Sequence, residues 1–307
     1  MAASQSLTGY SIVVRRKHAR TDAEQLLGNY CATSVSVLAP LERYLRELDV
    51  RDDNTVLTPI EVHGPDAENP NVVWAWIEAG EIGVRSSLRN LEDDADRYER
   101  TQHHAENVQV FVLCKAEPRR KLGYFVVHVP HGRGIKGVLS TALVDRFRQE
   151  HDEFSLRIDT AVPADVIRQT IENGRIHEVR FIKRRPERSE FDRLGEYLAD
   201  PREGRLETMI AGNQNVGLIK RNFERWINRE ADAQALLTFD SKQYDALKVE
   251  VIVGNRRRTI DVTQQSIGRV LYDVTEELNY EDGRPTSATM LPEALDLVAD
   301  LEASTGG

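Results

Sequence analysis

Short β-rich stretches alternate with helical ones in the first two-thirds of the chain, and the β-rich stretches predict strands. These stretches are rich in Val, Ile, Phe and Trp, the residues that favour strands. The predicted strands span residues 10–14, 56–62, 72–77, 108–114, 123–129, 154–158 and 178–183. Helices are predicted over residues 35–48, 138–149, 163–172 and 187–198. Together these elements predict an α+β fold with a mixed sheet.

A polar segment rich in turn formers, residues 199–204, predicts a domain boundary. It separates an N-terminal domain of residues 1–200 from a smaller α+β domain of residues 205–307, in which we expect DNA binding and dimerisation. The elements predicted in the smaller domain are a helix over 213–230, a hairpin over 247–262 that turns at Gly254 and Asn255, and helices over 263–279 and 292–303.

Each of the last two predicted helices carries an apolar stripe. The two stripes consist of Ile267, Val270, Leu271, Val274 and Leu278, and of Leu295, Val298 and Leu301. A stripe of this kind predicts either a small core or a dimer interface.

The formal net charge is −9, and the acidity is confined to one window. Between Glu42 and Glu106 the chain has 16 acidic and 7 basic residues. The acidic and basic residues in the rest of the chain are therefore equal in number. The rest of the chain can therefore carry basic surfaces. No apolar stretch approaches the roughly 20 residues of a membrane span, and the N-terminus lacks the pattern of a signal peptide. With only Cys31 and Cys114, these features favour a bacterial cytoplasmic protein without a disulfide framework.

The segment HGRGIKG contains the spacing G-x-G-x-x-G, between a predicted strand and a predicted helix. This spacing is typical of dinucleotide-binding loops. However, Pro130 and His131 separate the strand from the first glycine, and the later strands lack regular βαβ spacing. The loop is therefore interpreted as a dinucleotide site, a contact to a phosphate backbone, or a plain turn. Its candidate residues are Gly132, Arg133, Gly134, Lys136 and Gly137.

No metal or cofactor site is predicted. The eight histidines do not form a ligand set, and His177 is expected in a turn before a strand. No G-x-S-x-G or Walker-type motif is present. An acidic run could hold a divalent metal or form a solvated face, and it comprises Glu92, Asp93, Asp94 and Asp96.

Three basic clusters could contact phosphate. The first is the segment RIHEVRFIKRRPER. The second is a row of arginines on the predicted helix over 213–230, on the side opposite its apolar residues. The third is the tip of the predicted hairpin, together with a lysine on the first strand of that hairpin. Their candidate residues are Lys183, Arg184 and Arg185; Arg221, Arg225 and Arg229; and Lys248, Arg256, Arg257 and Arg258. Few aromatic residues accompany them, which favours contact with a duplex backbone over stacking on single-stranded bases.

Several segments resemble RexA-type abortive-infection proteins of temperate phages. They are LGYFVVHVPHGRGIKGVLSTALVDRF, FSLRID, EVRFIKRR and LKVEVIVGNRRRTIDVTQQSIGRVLYDVTEEL, within about residues 108–307. The resemblance implies a prophage-encoded protein of antiviral defence that acts in superinfection exclusion. It implies a homodimer that binds duplex DNA with little sequence preference and signals to a membrane-protein effector encoded nearby. It also implies that Lys248, Arg256, Arg257 and Arg258 contact DNA.

The main hypothesis is therefore a non-enzymatic DNA-binding sensor. One alternative is an enzyme, either a metal-dependent defence nuclease or a nucleotide-binding enzyme that uses the Gly132–Gly137 loop. Another is an interaction protein whose acidic window docks a basic partner.

Overall fold

The structure is a computed structural model of the chain, and it describes most but not all residues. The described residues are 4–19, 23–30, 35–51, 55–82, 86–89, 97–101, 104–132, 134–160, 164–183, 206–211, 216–228, 230, 233–240, 242–253, 256–263 and 269–304. They form an α+β protein, as the sequence predicts.

The helices and strands alternate irregularly along the chain. The helices are α1 (Leu38–Arg46), α2 (Lys136–Glu150), α3 (Ala164–Asn173), α4 (Val216–Ile227), α5 (Ala233–Leu236) and α6 (Ser287–Ser304). The strands are β1 (Gln5–Arg16), β2 (Val50–Arg51), β3 (Thr55–His63), β4 (Val72–Glu81), β5 (Ser86–Arg89), β6 (Arg97–Arg100), β7 (Glu106–Lys115), β8 (Leu122–Pro130), β9 (Phe154–Thr160), β10 (Arg175–Lys183), β11 (Leu206–Ala211), β12 (Thr238–Phe239), β13 (Lys242–Gln243), β14 (Ala246–Val253), β15 (Arg256–Thr263), β16 (Arg269–Asp273), β17 (Tyr280–Glu281) and β18 (Arg284–Pro285).

The chain divides into two compact units. The first unit is Met1–Ala161 with Val274–Val298, and the second is Val162–Asp273 with Ala299–Gly307. This division differs from the boundary that the sequence suggests at residues 199–204, which lie outside the described residues. The reason is that β10 pairs with β14 far along the chain, so the segment before the suggested boundary already belongs to the second unit.

The first unit is built on an antiparallel sheet in the order β9-β1-β8-β7-β4-β3-β2. Alternate residues of its strands form a core with the apolar sides of α1 and α2. In β1 these residues are Tyr10, Ile12 and Val14, which are all buried, and Leu41 and Leu139 meet them from the two helices. The regular alternation of the strands therefore explains both the sheet and its covered face.

The second unit has a five-stranded antiparallel sheet in the order β11-β10-β14-β15-β16. One face of this sheet is apolar and buried, with Val179, Phe181, Val249, Ile260 and Val262 among its residues. Helix α3 packs against β14, and α4 packs against α3. The predicted hairpin is confirmed as β14 and β15, although its turn residues Gly254 and Asn255 lie outside the described residues.

The sequence-based elements are largely confirmed, with two corrections. The predicted helix over 263–279 is wrong, because Arg269–Asp273 is a strand that pairs with β15. Val270, Tyr272 and Val274 are buried, and this spacing of two is that of a strand. The last helix begins at Ser287, before the predicted start at Pro292. The predicted helix over 187–198 lies outside the described residues.

Candidate nucleic-acid interface

The second face of the five-stranded sheet is lined by charged side chains, and we call it the polar face. The strand register places Arg180 directly opposite Lys248, and Lys248 opposite Asp261. Arg175 and Arg257 both lie opposite Ile252, on its two sides. The charged residues of the polar face are Arg175, Glu178, Arg180, Glu207, Lys248, Glu250, Arg257, Asp261, Arg269 and Asp273.

In two ion pairs of the polar face, the arginine side chain is more exposed than the carboxylate that it contacts. Arg180 donates to Glu178, and their side chains are 44% and 16% exposed. Arg257 donates from Nη1 to Glu250 Oε1 over 3.4 Å, with exposures of 58% and 21%. In each pair the arginine is therefore the more accessible partner. Because a guanidinium has five N–H donors, donors are left for a second acceptor.

The electrostatics of this pairing keep Arg180 firmly charged. The hydrogen bond to Glu178 raises the pKa of the Arg180 guanidinium, and the nearby carboxylates Glu207 and Glu250 add to this effect. A carboxylate oxygen of Glu250 also lies 4.0 Å from Nε2 of His177. His177 belongs to β10, next to a register shift between Ile176 and Glu178, and not to a turn before the strand as the sequence suggests.

Arg258 lies on the opposite, covered side of the sheet. Its Nη2 donates to Asp300 Oδ2 over 2.9 Å, and its Nη1 donates to Thr170 Oγ1 over 3.4 Å. The guanidinium carbon also lies 4.9 Å from the centre of the Tyr272 ring. The Arg258 side chain is only 17% exposed. In the sequence, Arg256, Arg257 and Arg258 are predicted to form one cluster, but alternation along β15 places Arg257 on one face of the sheet and Arg256 and Arg258 on the other.

The arginines of α4 lie on a separate element. Arg221 and Arg225 are exposed, while Phe223 between them is fully buried, in agreement with the predicted apolar side of this helix. Lys183 is the last residue of β10 and, three residues from Arg180, lies on the other face of the strand. Three further candidates lie outside the described residues: Arg184, Arg185 and Arg229.

The glycine-rich loop is in the first unit, between β8 and α2. His131 and Gly132 both have positive φ, at 51° and 76°, and α2 begins at Lys136. Both neighbours of β8 run antiparallel to it, so the loop is not part of the parallel βαβ unit of dinucleotide-binding domains. Lys136 Nζ lies 5.1 Å from the centre of the Tyr10 ring. Gly134 lies in the loop and Gly137 in the first turn of α2, while Arg133 lies outside the described residues.

Within the described part of the chain, no three His, Cys, Asp or Glu side chains are placed so that they could share a metal ion. The acidic run that could bind a metal, Glu92, Asp93, Asp94 and Asp96, lies outside the described residues. None of the described helices combines the length and apolar character that a membrane span requires.

Sequence reasoning identified two members of the polar face, Lys248 and Arg257, and missed Arg180. The signal was present in the first basic cluster, where Arg175, His177 and Arg180 precede the more conspicuous Lys183, Arg184 and Arg185. What the sequence does not reveal is which strand lies beside β10.

Comparison with protein families and with curated proteins identified no relative of this chain. No protein-family model matches the chain, and no curated protein matches it either.

Proposed function

We propose that the chain binds the phosphate backbone of duplex DNA, without reading its sequence, through the polar face of the second unit. The observation that carries this proposal is the exposure of two arginines on that face. Arg180 and Arg257 are each more exposed than the carboxylate with which they pair.

This difference in exposure matters because the polar face has as many carboxylates as cations. Equally exposed charges of both signs would attract and repel phosphate about equally. Because Arg180 and Arg257 are more accessible than their carboxylate partners, an approaching polyanion meets these guanidinium groups more readily. Arginine suits this role because its planar group binds carboxylate on one edge and phosphate on another. Binding is expected to be modest and to weaken steeply with salt, since the chain as a whole has a net charge of −9.

The composition of the face supports backbone contact over base recognition. Its described positions hold no Phe, Tyr or Trp, so there is no platform for stacking on unpaired bases. Phosphate contacts position a protein on DNA but carry no sequence information.

For the biological role, we propose that the chain is the DNA-binding sensor of a prophage-encoded superinfection-exclusion system, as a homodimer that acts on a membrane-protein effector. The resemblance of its segments to RexA-type proteins supports this role. Arg180, Arg257 and Lys248 would provide the DNA contacts.

The test is a salt series with two unrelated duplexes. We expect both duplexes to bind alike, and the double variant R180A/R257A to bind at least about tenfold more weakly, with a salt slope smaller by about 2. The matched control is R221A/R225A, which removes two exposed arginines from α4 and keeps the polar face intact. Binding that is independent of salt, or equal loss in the two double variants, would contradict the proposal.

A further inference from the structure

His177, Glu250 and Arg257 form a connected group on three positions of the polar face. Arg257 Nη1 lies 3.4 Å from Glu250 Oε1, and His177 Nε2 lies 4.0 Å from the same oxygen. The His177 and Arg257 side chains are about half exposed, at 49% and 58%, while Glu250 is 21% exposed. One carboxylate oxygen therefore faces two basic groups, and one of these can gain or lose a charge.

We infer that His177 makes DNA binding by the polar face sensitive to pH, such that protonation of its imidazole strengthens the binding of a duplex backbone. The inference rests on the proposed function and names how that site would be regulated.

The charges around His177 make one added proton significant. The charged positions of the polar face come from all five strands. They are Arg175, Glu178 and Arg180 on β10, Lys248 and Glu250 on β14, Arg257 and Asp261 on β15, Arg269 and Asp273 on β16, and Glu207 on β11. These are five cations and five carboxylates, so the polar face is neutral while His177 is neutral. Protonation of His177 gives the face a net positive charge.

Protonation acts in two ways. First, the imidazolium adds a cation beside the arginines, within reach of the same polyanion. Second, it competes with Arg257 for Glu250, so that Arg257 can turn more of its donors to phosphate. Imidazole is the side chain whose charge ordinarily changes between pH 5 and 8, and the DNA phosphates do not titrate in this range. Both effects therefore have the same sign, and affinity rises as the pH falls.

The experiment measures the affinity of the full chain for one duplex of random sequence, at constant ionic strength, from about pH 8.0 to about pH 5.5. We expect binding about three- to tenfold tighter at the acidic end, the effect of one added charge among several phosphate contacts. H177Q removes the titrating group and should bind equally at both ends. H63Q removes another exposed histidine, in the first unit, and should keep the full pH dependence.

E250Q separates the two effects. Without the carboxylate, Arg257 is already released at pH 8.0, so the variant should bind more tightly than wild type there and gain less on acidification.

The outcomes separate the inference from the function on which it rests. A pH dependence that H177Q abolishes and H63Q retains supports the inference. Binding that varies with pH equally in wild type and H177Q, or that does not vary, overturns the inference and leaves the proposed function intact. Absence of binding by the wild-type chain at every pH overturns both.

Discussion

Arg258 and Asp300 form an ion pair of 2.9 Å on the covered side of the five-stranded sheet. Arg257, the preceding residue, points to the polar face, and its side chain is 58% exposed against 17% for Arg258. Arg258 is further held by Thr170 and by the ring of Tyr272. Within the second unit it therefore connects β15 to α3 and to the C-terminal part of α6. Two neighbouring arginines thus have different roles, one structural and one at the surface.

Replacement of Arg258 by alanine should destabilise the protein. The change removes two hydrogen bonds and the packing against Tyr272, and we expect the free energy of unfolding to fall by about 1–3 kcal/mol. R257A is the matched control, and because its side chain lies at the surface the change should be within about 0.5 kcal/mol. Urea unfolding of both variants at pH 7 checks this. Equal destabilisation by the two changes would show that Arg258 has no special structural role.

Gly174, between α3 and β10, provides a second prediction about the second unit. A Cβ atom at this position would overlap Cγ1 of Val251 and the carbonyl oxygen of Thr170, neither of which can move without shifting the sheet or the helix. We therefore expect G174A to lower the free energy of unfolding by about 1–3 kcal/mol. Thermal or urea unfolding measures the effect.

The control is G137A in the first turn of α2. A Cβ there meets nothing within 4 Å, and alanine is up to about 1 kcal/mol more favourable than glycine in a helix. G137A should therefore be neutral or stabilising. If G174A is as stable as wild type, the contact between α3 and β14 can accommodate a Cβ atom at this position.

Local patterns in the sequence predicted most of the secondary structure. The strands β1, β4, β7 and β8 were predicted from runs of apolar residues, because a buried strand needs apolar side chains whichever strand it pairs with. The hairpin of β14 and β15 followed from Gly254 and Asn255, since these residues suit a tight turn. The strand β16 was predicted as a helix because Val270, Val274 and Leu278 also fit a helical spacing. Only the pairing with β15 decides between the two.

The candidate site was harder to predict, because it depends on pairing between distant strands. Arg180 and Lys248 are neighbours only because β10 pairs with β14, and nothing in either segment specifies that partner. The run of three arginines looked like one patch in the sequence. Alternation along a strand divides such a run between two faces, and that consequence could have been drawn once the hairpin was predicted.

In the first unit, His128 is fully buried in β8. The side-chain amide oxygen Oε1 of Gln5 accepts a hydrogen bond from Nε2 of His128 over 2.7 Å. The other ring nitrogen, Nδ1, is buried and has no hydrogen-bond partner among the described residues. Burial, with a smaller contribution from the nearby His131, lowers the pKa of His128 to about 3. The imidazole is therefore neutral in the folded protein at any pH above about 4.

This buried histidine predicts a loss of stability in mild acid. An unfolded chain takes up a proton at His128 below about pH 6.5, whereas the folded chain does so only near pH 3. The stabilising effect is thus complete above pH 6.5 and is lost as the pH falls towards 3, by up to about 1.4 kcal/mol per pH unit for this one group. Urea unfolding of wild type, H128Q and H63Q between pH 7 and pH 4.5 measures it. We expect the free energy of unfolding of H128Q to fall less steeply with decreasing pH than that of wild type and H63Q, even if H128Q is less stable at pH 7. Identical slopes in all three proteins would rule out His128 as the source of the acid sensitivity.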